Sequence, residues 1–233
     1  MKTLLQINVV CNSGSTGKIA EGIGTLAMER GWESYIAWGR WANPSKSHSF
    51  RIDRDSDIKM HGLRTRLFDG EGLGSVCATK KLLSRMDEIK PSVVQIHNLH
   101  GYYVNYPMLF QYLTEKKIPT FLTLHDCWIF TGHCVHFASI VCEKWKTGCG
   151  NCPNLKSYPK SWFMDNSAKN WTLKKKYLGG CDNLTLIPVC EWMHELLKES
   201  FLKDKKIVTL LNGVNLELFH PTQVNEDLLK IEE

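Results

Sequence analysis

The feature that most constrains this chain is a rhythm of short apolar runs separated by longer amphipathic or irregular stretches. The runs are Thr3–Val10, Glu33–Trp38, Ser92–His97, Pro119–His125, Asn183–Val189 and Lys206–Leu211. Several are apolar on both faces, as a strand must be when helices cover both sides of a parallel sheet. Between them, Thr16–Arg30, Val76–Ile89, Asn105–Lys116, Ser167–Leu178 and Glu191–Phe201 carry helical periodicity. The alternation predicts an α/β fold: a doubly wound, mostly parallel, Rossmann-like sheet with right-handed crossovers. Two regions break the rhythm. Residues 40–75 are polar and Gly-bearing, and are expected to form a loop with a short helix near Asp57–Leu67. Residues 127–160 are rich in Cys, Pro and aromatic side chains, an irregular insertion of the kind that is functional or stapled.

Bulk properties narrow the class. With 233 residues, 43% hydrophobic and 23% charged, the chain is an ordinary globular protein able to bury a large core. A net charge of +5 suits a polyphosphate or an anionic surface but falls short of a dedicated nucleic-acid binder, and no nucleic acid is expected. The opening apolar run is broken by Gln6 and Asn8 and lacks a small-residue cleavage site, so it does not read as a secretory signal. No stretch reaches the 18 or so apolar residues of a membrane span. The chain is read as cytoplasmic. Its nine cysteines, an odd number, argue against a purely disulfide framework.

Four segments hold residues with chemistry. The first, Asn12-Ser13-Gly14-Ser15-Thr16-Gly17-Lys18, follows the first strand and opens a helix. Backbone N–H groups there make an anion site, and Gly14, Ser15, Thr16 and Gly17 are its candidates. It is neither a Walker loop nor GxGxxG, and the competing reading is close helix–sheet packing by Gly17, Gly22 and Gly24. The second is a pair of strand ends, Ile96-His97-Asn98-Leu99-His100-Gly101-Tyr102 and Leu124-His125-Asp126-Cys127-Trp128. Ligands of open α/β sheets sit beyond the carboxyl ends of the strands. That placement favours function over buried core histidines.

The third is Cys134-x7-Cys142-x6-Cys149-x2-Cys152. The last pair is a usual zinc half-site, the first spacing is not, and His133 or His136 are alternative ligands. One structural zinc on Cys134, Cys142, Cys149 and Cys152 is expected, with free thiols or disulfides as the alternative. The fourth joins Trp162, Phe163, Lys169, Trp171 and Lys174-Lys175-Lys176. It reads either as a solvated helix face or as a peripheral membrane surface.

These motifs together carry a resemblance that spans residues 3–221. The Gly/Ser loop after the first strand, Ile96-His97-Asn98, Thr123-Leu124-His125-Asp126-Cys127-Trp128, Phe130-Thr131-Gly132-His133-Cys134 and Val189-Cys190-Glu191-Trp192-Met193 all contribute. So does the closing Leu211-Asn212-Gly213-Val214-Asn215 run. The chain resembles family-four glycosyltransferases of the GT-B fold, bacterial enzymes of capsule, exopolysaccharide and colanic-acid-type synthesis in particular. The resemblance implies a hexosyltransferase-type enzyme: retaining transfer from a nucleotide-diphosphate sugar to a sugar or lipid-linked oligosaccharide acceptor. It places Gly14–Gly17 against the donor phosphates and His125 with Asp126 at the reacting centre. His97, Asn98, His100 and Tyr102 fall in the acceptor pocket. It also implies residues 1–221 as the acceptor-side domain, with 222–233 leading toward an absent donor-binding domain. Glu191 and Glu199 have the E-x7-E spacing of that second domain but not its context. A Rossmann oxidoreductase is disfavoured, since Trp38-Gly39-Arg40-Trp41 stands where an acidic ribose-binding residue belongs. A zinc-stapled binding module and a non-catalytic remnant remain as alternatives.

Overall fold

The computed structural model describes residues 1–217 and Phe219; the 222–233 tail lies outside them. Among the described residues seven strands form one sheet: β1 (Thr3–Cys11), β2 (Glu33–Ala42), β3 (His48–Arg51), β4 (Val93–Ile96), β5 (Thr120–Leu124), β6 (Leu184–Pro188) and β7 (Lys206–Ile207). Their order is β3-β2-β1-β4-β5-β6-β7, and every pairing is parallel. The helices that connect them are α1 (Gly14–Glu29), α2 (Asp55–Phe68), α3 (Val76–Ile89), α4 (Tyr106–Glu115), α5 (Ser167–Gly179) and α6 (Glu191–Glu199). Among the described residues no helix is long and apolar enough to cross a membrane.

The expected doubly wound sheet is therefore present. The direction of winding reverses between β1 and β4, which is where such sheets open a crevice. β1 is buried almost throughout, and its polar residues are paired inside the core. Gln6 donates to the carbonyl of Ala20 at 2.8 Å, and Asn8 donates to that of Val10 at 2.9 Å. Helix α1 lies close to the sheet because small residues face it. A Cβ on Gly17 would come within 3.1 Å of Val10 Cγ2, and one on Gly24 within 2.4 Å of Ser47 Oγ. Gly22 faces open space, so only two of the three glycines expected to pack do so.

The insertion folds as a small aromatic core beside α5. Phe130, Phe137 and Trp145 pack ring to ring, with centroids 5.1–6.2 Å apart. Lys174 and Trp171, expected on a solvated or lipid-facing surface, are instead buried. Lys174 Nζ donates to the carbonyls of Trp128 at 2.6 Å and Thr131 at 3.0 Å and lies 3.4 Å from the Trp128 ring centroid. Burial pushes this ammonium down to about 7, against the pull of nearby Cys149 and Asp69. It pins the start of the insertion to α5.

Gly132 makes that contact possible. A Cβ there would lie 2.1 Å from the backbone carbonyl oxygen of Ser167, which cannot swing aside as a side chain could. Gly132→Ala is expected to cost roughly 3 kcal/mol or more, the level at which overpacking forces a backbone shift. Urea unfolding of the two proteins would show it as a lower midpoint; an unchanged midpoint would mean that α5 and the insertion slide freely.

Candidate active site

Three neighbouring strands, β1, β4 and β5, end at the crevice, and each delivers part of the site. After β1 the chain turns at Asn12 and Gly14, both at positive φ, into α1. No side chain caps that helix start, and Gly14 and Ser15 are exposed while Gly17 is buried. Its first N–H groups are thus free to meet an anion. Thr16 is less free, since its hydroxyl accepts from Asn8 at 3.3 Å. A Cβ on Gly14 would meet nothing within 4 Å, whereas Gly17 serves packing. The loop therefore divides between the two sequence readings.

His97 follows β4 and is buried beneath the crevice, not open to it. Its Nε2 meets Gln6 Oε1 at 3.0 Å and its Nδ1 meets His125 Nε2 at 3.4 Å. Burial, then the neighbouring His125, pull His97 down to about 3, so it is neutral. The chain of contacts fixes the tautomers. Gln6 gives its N–H to Ala20, so its oxygen must accept from His97 Nε2–H. His97 Nδ1 is then an acceptor, His125 Nε2 donates to it, and His125 keeps an unprotonated Nδ1. Burial lowers the His125 pKa, only partly countered by Asp126, and so keeps that lone pair available.

A second set surrounds Asp126. Its Oδ1 accepts from the Trp128 amide at 2.8 Å and its Oδ2 meets His100 Nε2 at 2.8 Å. Burial works against its charge, but the His100 bond and charge outweigh it and hold the carboxyl below its usual range. Both oxygens being engaged, Asp126 orients His100 and the turn after β5. His100 Nδ1 in turn meets the Tyr158 hydroxyl at 3.0 Å, and the Tyr102 and Tyr158 ring centroids lie 6.2 Å apart. Asn98 is spent locally, taking the amide of His100 at 3.2 Å and giving its carbonyl to the Tyr103 hydroxyl.

Two members of the site carried no sequence signal. Tyr158 comes from the far end of the insertion. Glu71, buried in the stretch expected to be loop, accepts the amides of Gly101 at 2.8 Å and Tyr102 at 3.1 Å. Tyr102 has φ +69, a costly left-handed conformation for an aromatic residue. The Glu71 carboxylate holds it there.

The expected zinc site does not assemble. Cys134, Cys142, Cys149 and Cys152 do line one small cavity with His133, and all four are free thiols. Yet only Cys134 and Cys152 meet, with sulfurs 3.9 Å apart, while Cys149 accepts from the Gly132 amide at 3.2 Å. Among the described residues no group of three or more His, Cys, Asp or Glu side chains is arranged to hold a metal ion. The insertion is held by aromatic packing and by a buried pair, His133 Nδ1 to Asp69 Oδ1 at 2.6 Å.

Residues 23–218 match the model of Glycosyltransferase Family 4. The chain belongs to that family. This family-four domain is 27% identical over 172 residues to a protein of Escherichia coli (strain K12) described as a colanic acid biosynthesis glycosyl transferase, WcaC. The match covers 67% of the chain and 40% of the relative, so the family-four domain spans well under half of that protein. Its fold is shared with the sucrose-phosphate synthase of Thermosynechococcus elongatus, at TM-score 0.56 and 10% identity, covering 99% of this chain and 53% of that one. TcCGT1, solved in complex with UDP, aligns at TM-score 0.53 and 10% identity, covering 98% of this chain and 54% of that one. The family-four domain thus has the Rossmann-like α/β fold that its sequence led us to expect. Family membership also displaces the zinc-stapled binding module and the oxidoreductase.

Proposed function

We propose that these residues form the acceptor-side half of a retaining glycosyltransferase that uses a nucleotide-diphosphate sugar in cell-surface polysaccharide synthesis. The observation that carries the reading is the placement, at the same edge of neighbouring strands β1, β4 and β5, of an uncapped helix start and an unprotonated His125 nitrogen. An uncapped helix start suits a diphosphate; a neutral imidazole at the same sheet edge suits a sugar hydroxyl. The UDP bound to TcCGT1, a protein of the same fold, fits a donor of that class. In this reading Gly14, Ser15 and Thr16 face the donor phosphates and His125 lies beside the donor sugar. His100, Tyr102 and Tyr158 receive the acceptor. His97 and Asp126 act as positioning residues, the first for His125 and the second for His100. A donor-binding half would close the other wall of the cleft and supply cations for the leaving diphosphate.

That division of labour gives a measurable expectation. Residues 1–233 alone should transfer sugar at least about 50-fold more slowly than the same residues joined to a donor-binding half, because orientation of the donor is lost. The assay is a nucleotide-sugar screen with acceptor-dependent nucleotide release. Comparable release from the two proteins would place the reacting centre wholly within this chain and sink the two-walled reading.

A further inference from the structure

Strand β2 ends irregularly, and it does so beside the residues proposed to receive the acceptor. Asn8 of β1 stands opposite Trp38 and Val10 opposite Trp41, so β2 carries one residue more than its partner over Gly39 and Arg40. Bulges are uncommon between parallel strands and collect next to active sites, where they re-aim a side chain. Gly39 lets this one press against the 98–103 loop, since a Cβ there would overlap the Tyr103 ring. Tyr103 in turn gives its hydroxyl to the Asn98 carbonyl. Two side chains leave the bulge at the carboxyl end of β2. The Arg40 guanidinium lies 4.2 Å from the Trp41 ring centroid, and Trp41 is 57% exposed. Among the described residues the guanidinium donates no hydrogen bond and meets no carboxylate. Burial, then Glu71, raise the pKa of the Tyr102 and Tyr158 phenols, and the Arg40 charge opposes both, as a cation beside that ring pair must.

We propose that Arg40 and Trp41 form an outer acceptor subsite, which holds a second pyranose ring next to the one received by His100, Tyr102 and Tyr158. This subsite rests on the acceptor reading of those three residues, and it implies an acceptor of at least two sugars. A lone exposed tryptophan needs no explanation. One pinned by an arginine without a carboxylate, on a bulge that abuts the 98–103 loop, does. The guanidinium over the ring holds the indole in one orientation. What remains exposed is a flat apolar face. The C–H side of a sugar ring packs on such a face, while its hydroxyl oxygens accept from the N–H groups of Arg40. A nucleotide phosphate suits the pair less well, because the negative face of the indole repels an anion.

The test is a saturation-transfer NMR titration of the full chain with lactose, cellobiose, maltose and chitobiose. Each is compared with the methyl glycoside of its non-reducing sugar. At least one disaccharide should bind about tenfold more tightly than its methyl glycoside, with saturation reaching the second ring. Trp41→Ala, and separately Arg40→Gln, should bring the two affinities together and remove saturation from the second ring. The methyl glycoside should bind both variants as it binds the native protein. Arg40→Gln keeps the subsite testable should loss of the indole disturb the end of β2. Disaccharides no tighter than their methyl glycosides, or a gain that survives either substitution, would overturn the subsite and leave the acceptor reading standing. If no sugar of either length binds, the acceptor reading fails and takes the subsite with it.

Discussion

His125→Ala, made in a polypeptide that joins these residues to a donor-binding half, is expected to slow turnover on the order of 100-fold or more. Its melting temperature should move by only about 2 °C, a shift worth less than about 1 kcal/mol in a chain of this size. The split follows from where the ring sits. His125 lies just past β5, half-buried, and its one polar side-chain contact among the described residues is the long 3.4 Å approach to His97. Little packing is lost with it, while the lone pair aimed at the crevice disappears. The pH dependence has a definite sign. The neutral ring is the competent form and burial lowers its pKa, so turnover should hold down through the ordinary histidine value of 6.5 and fall only at lower pH. His97→Ala should reverse the pattern, costing stability first, since that ring is buried and bonded to Gln6 in the core. Equal losses of stability and turnover in His125→Ala would mark it as a core residue and leave the crevice without its centre.

The second large effect is expected at Asp69. Its side chain pairs with His133 with neither group more than 1% exposed, and its other oxygen accepts the Asn166 amide at 3.0 Å. Its carbonyl takes the Asn170 side chain at 2.6 Å. One residue thus joins the end of α2 to the insertion and to α5. Asp69→Ala strands a buried imidazole, a loss of about 3–5 kcal/mol, or roughly 6–20 °C in melting temperature. pH supplies a check on the cause. Burial opposes the His133 charge, yet the hydrogen bond to Asp69 and its charge outweigh burial, and the His133 pKa is raised. A raised value means that the pair contributes fully below the unfolded value near 6.5 and loses that contribution as pH climbs through the folded one. The gap in melting temperature between native protein and Asp69→Ala should therefore be wider at about pH 6 than at about pH 9. Lys174, drawn down to about 7 by burial but pulled up by Asp69, loses that pull in the variant, and because the attraction exists only while Lys174 is charged its loss widens the gap in the same sense. A gap of the same width at both pH values would show that the pair is held by geometry without charge.

What the sequence disclosed was what periodicity and strand-end placement can carry. Six of the strands showed as apolar runs, several of them apolar on both faces; β3, His48–Arg51, escaped because it is an edge strand of largely exposed residues. The strand expected over Lys206–Leu211 is shorter, with only Lys206 and Ile207 in register with β6. Helix α5 carried the right period, since Ser167, Asn170, Trp171, Lys174 and Leu178 all face inward. The helix was expected, but polar residue types hid its buried face, and a lysine run passed for a solvated one. Glu71 and Tyr158 were illegible for a different reason. Their roles arise from contacts 30 and 58 residues away in sequence, to Gly101 and His100, and no local pattern marks such a partner. The cysteines misled in the opposite sense, because a familiar spacing suggested a ligand set that the folded insertion does not bring together.

Tyr158 reaches His100 from an excursion that leaves the sheet after β5 and returns only at α5. His125 draws its support from elsewhere, through His97 and Gln6 in the central strands. The two halves of the crevice are thus heritable separately. Substitutions within the excursion can reshape the surface around His100 while the imidazole relay across β1, β4 and β5 keeps its register. On the proposed reading, a lineage can change what it glycosylates without renegotiating how it holds the reacting sugar. Exchanging residues 131–160 between members of the family should therefore transplant acceptor preference and leave donor preference behind.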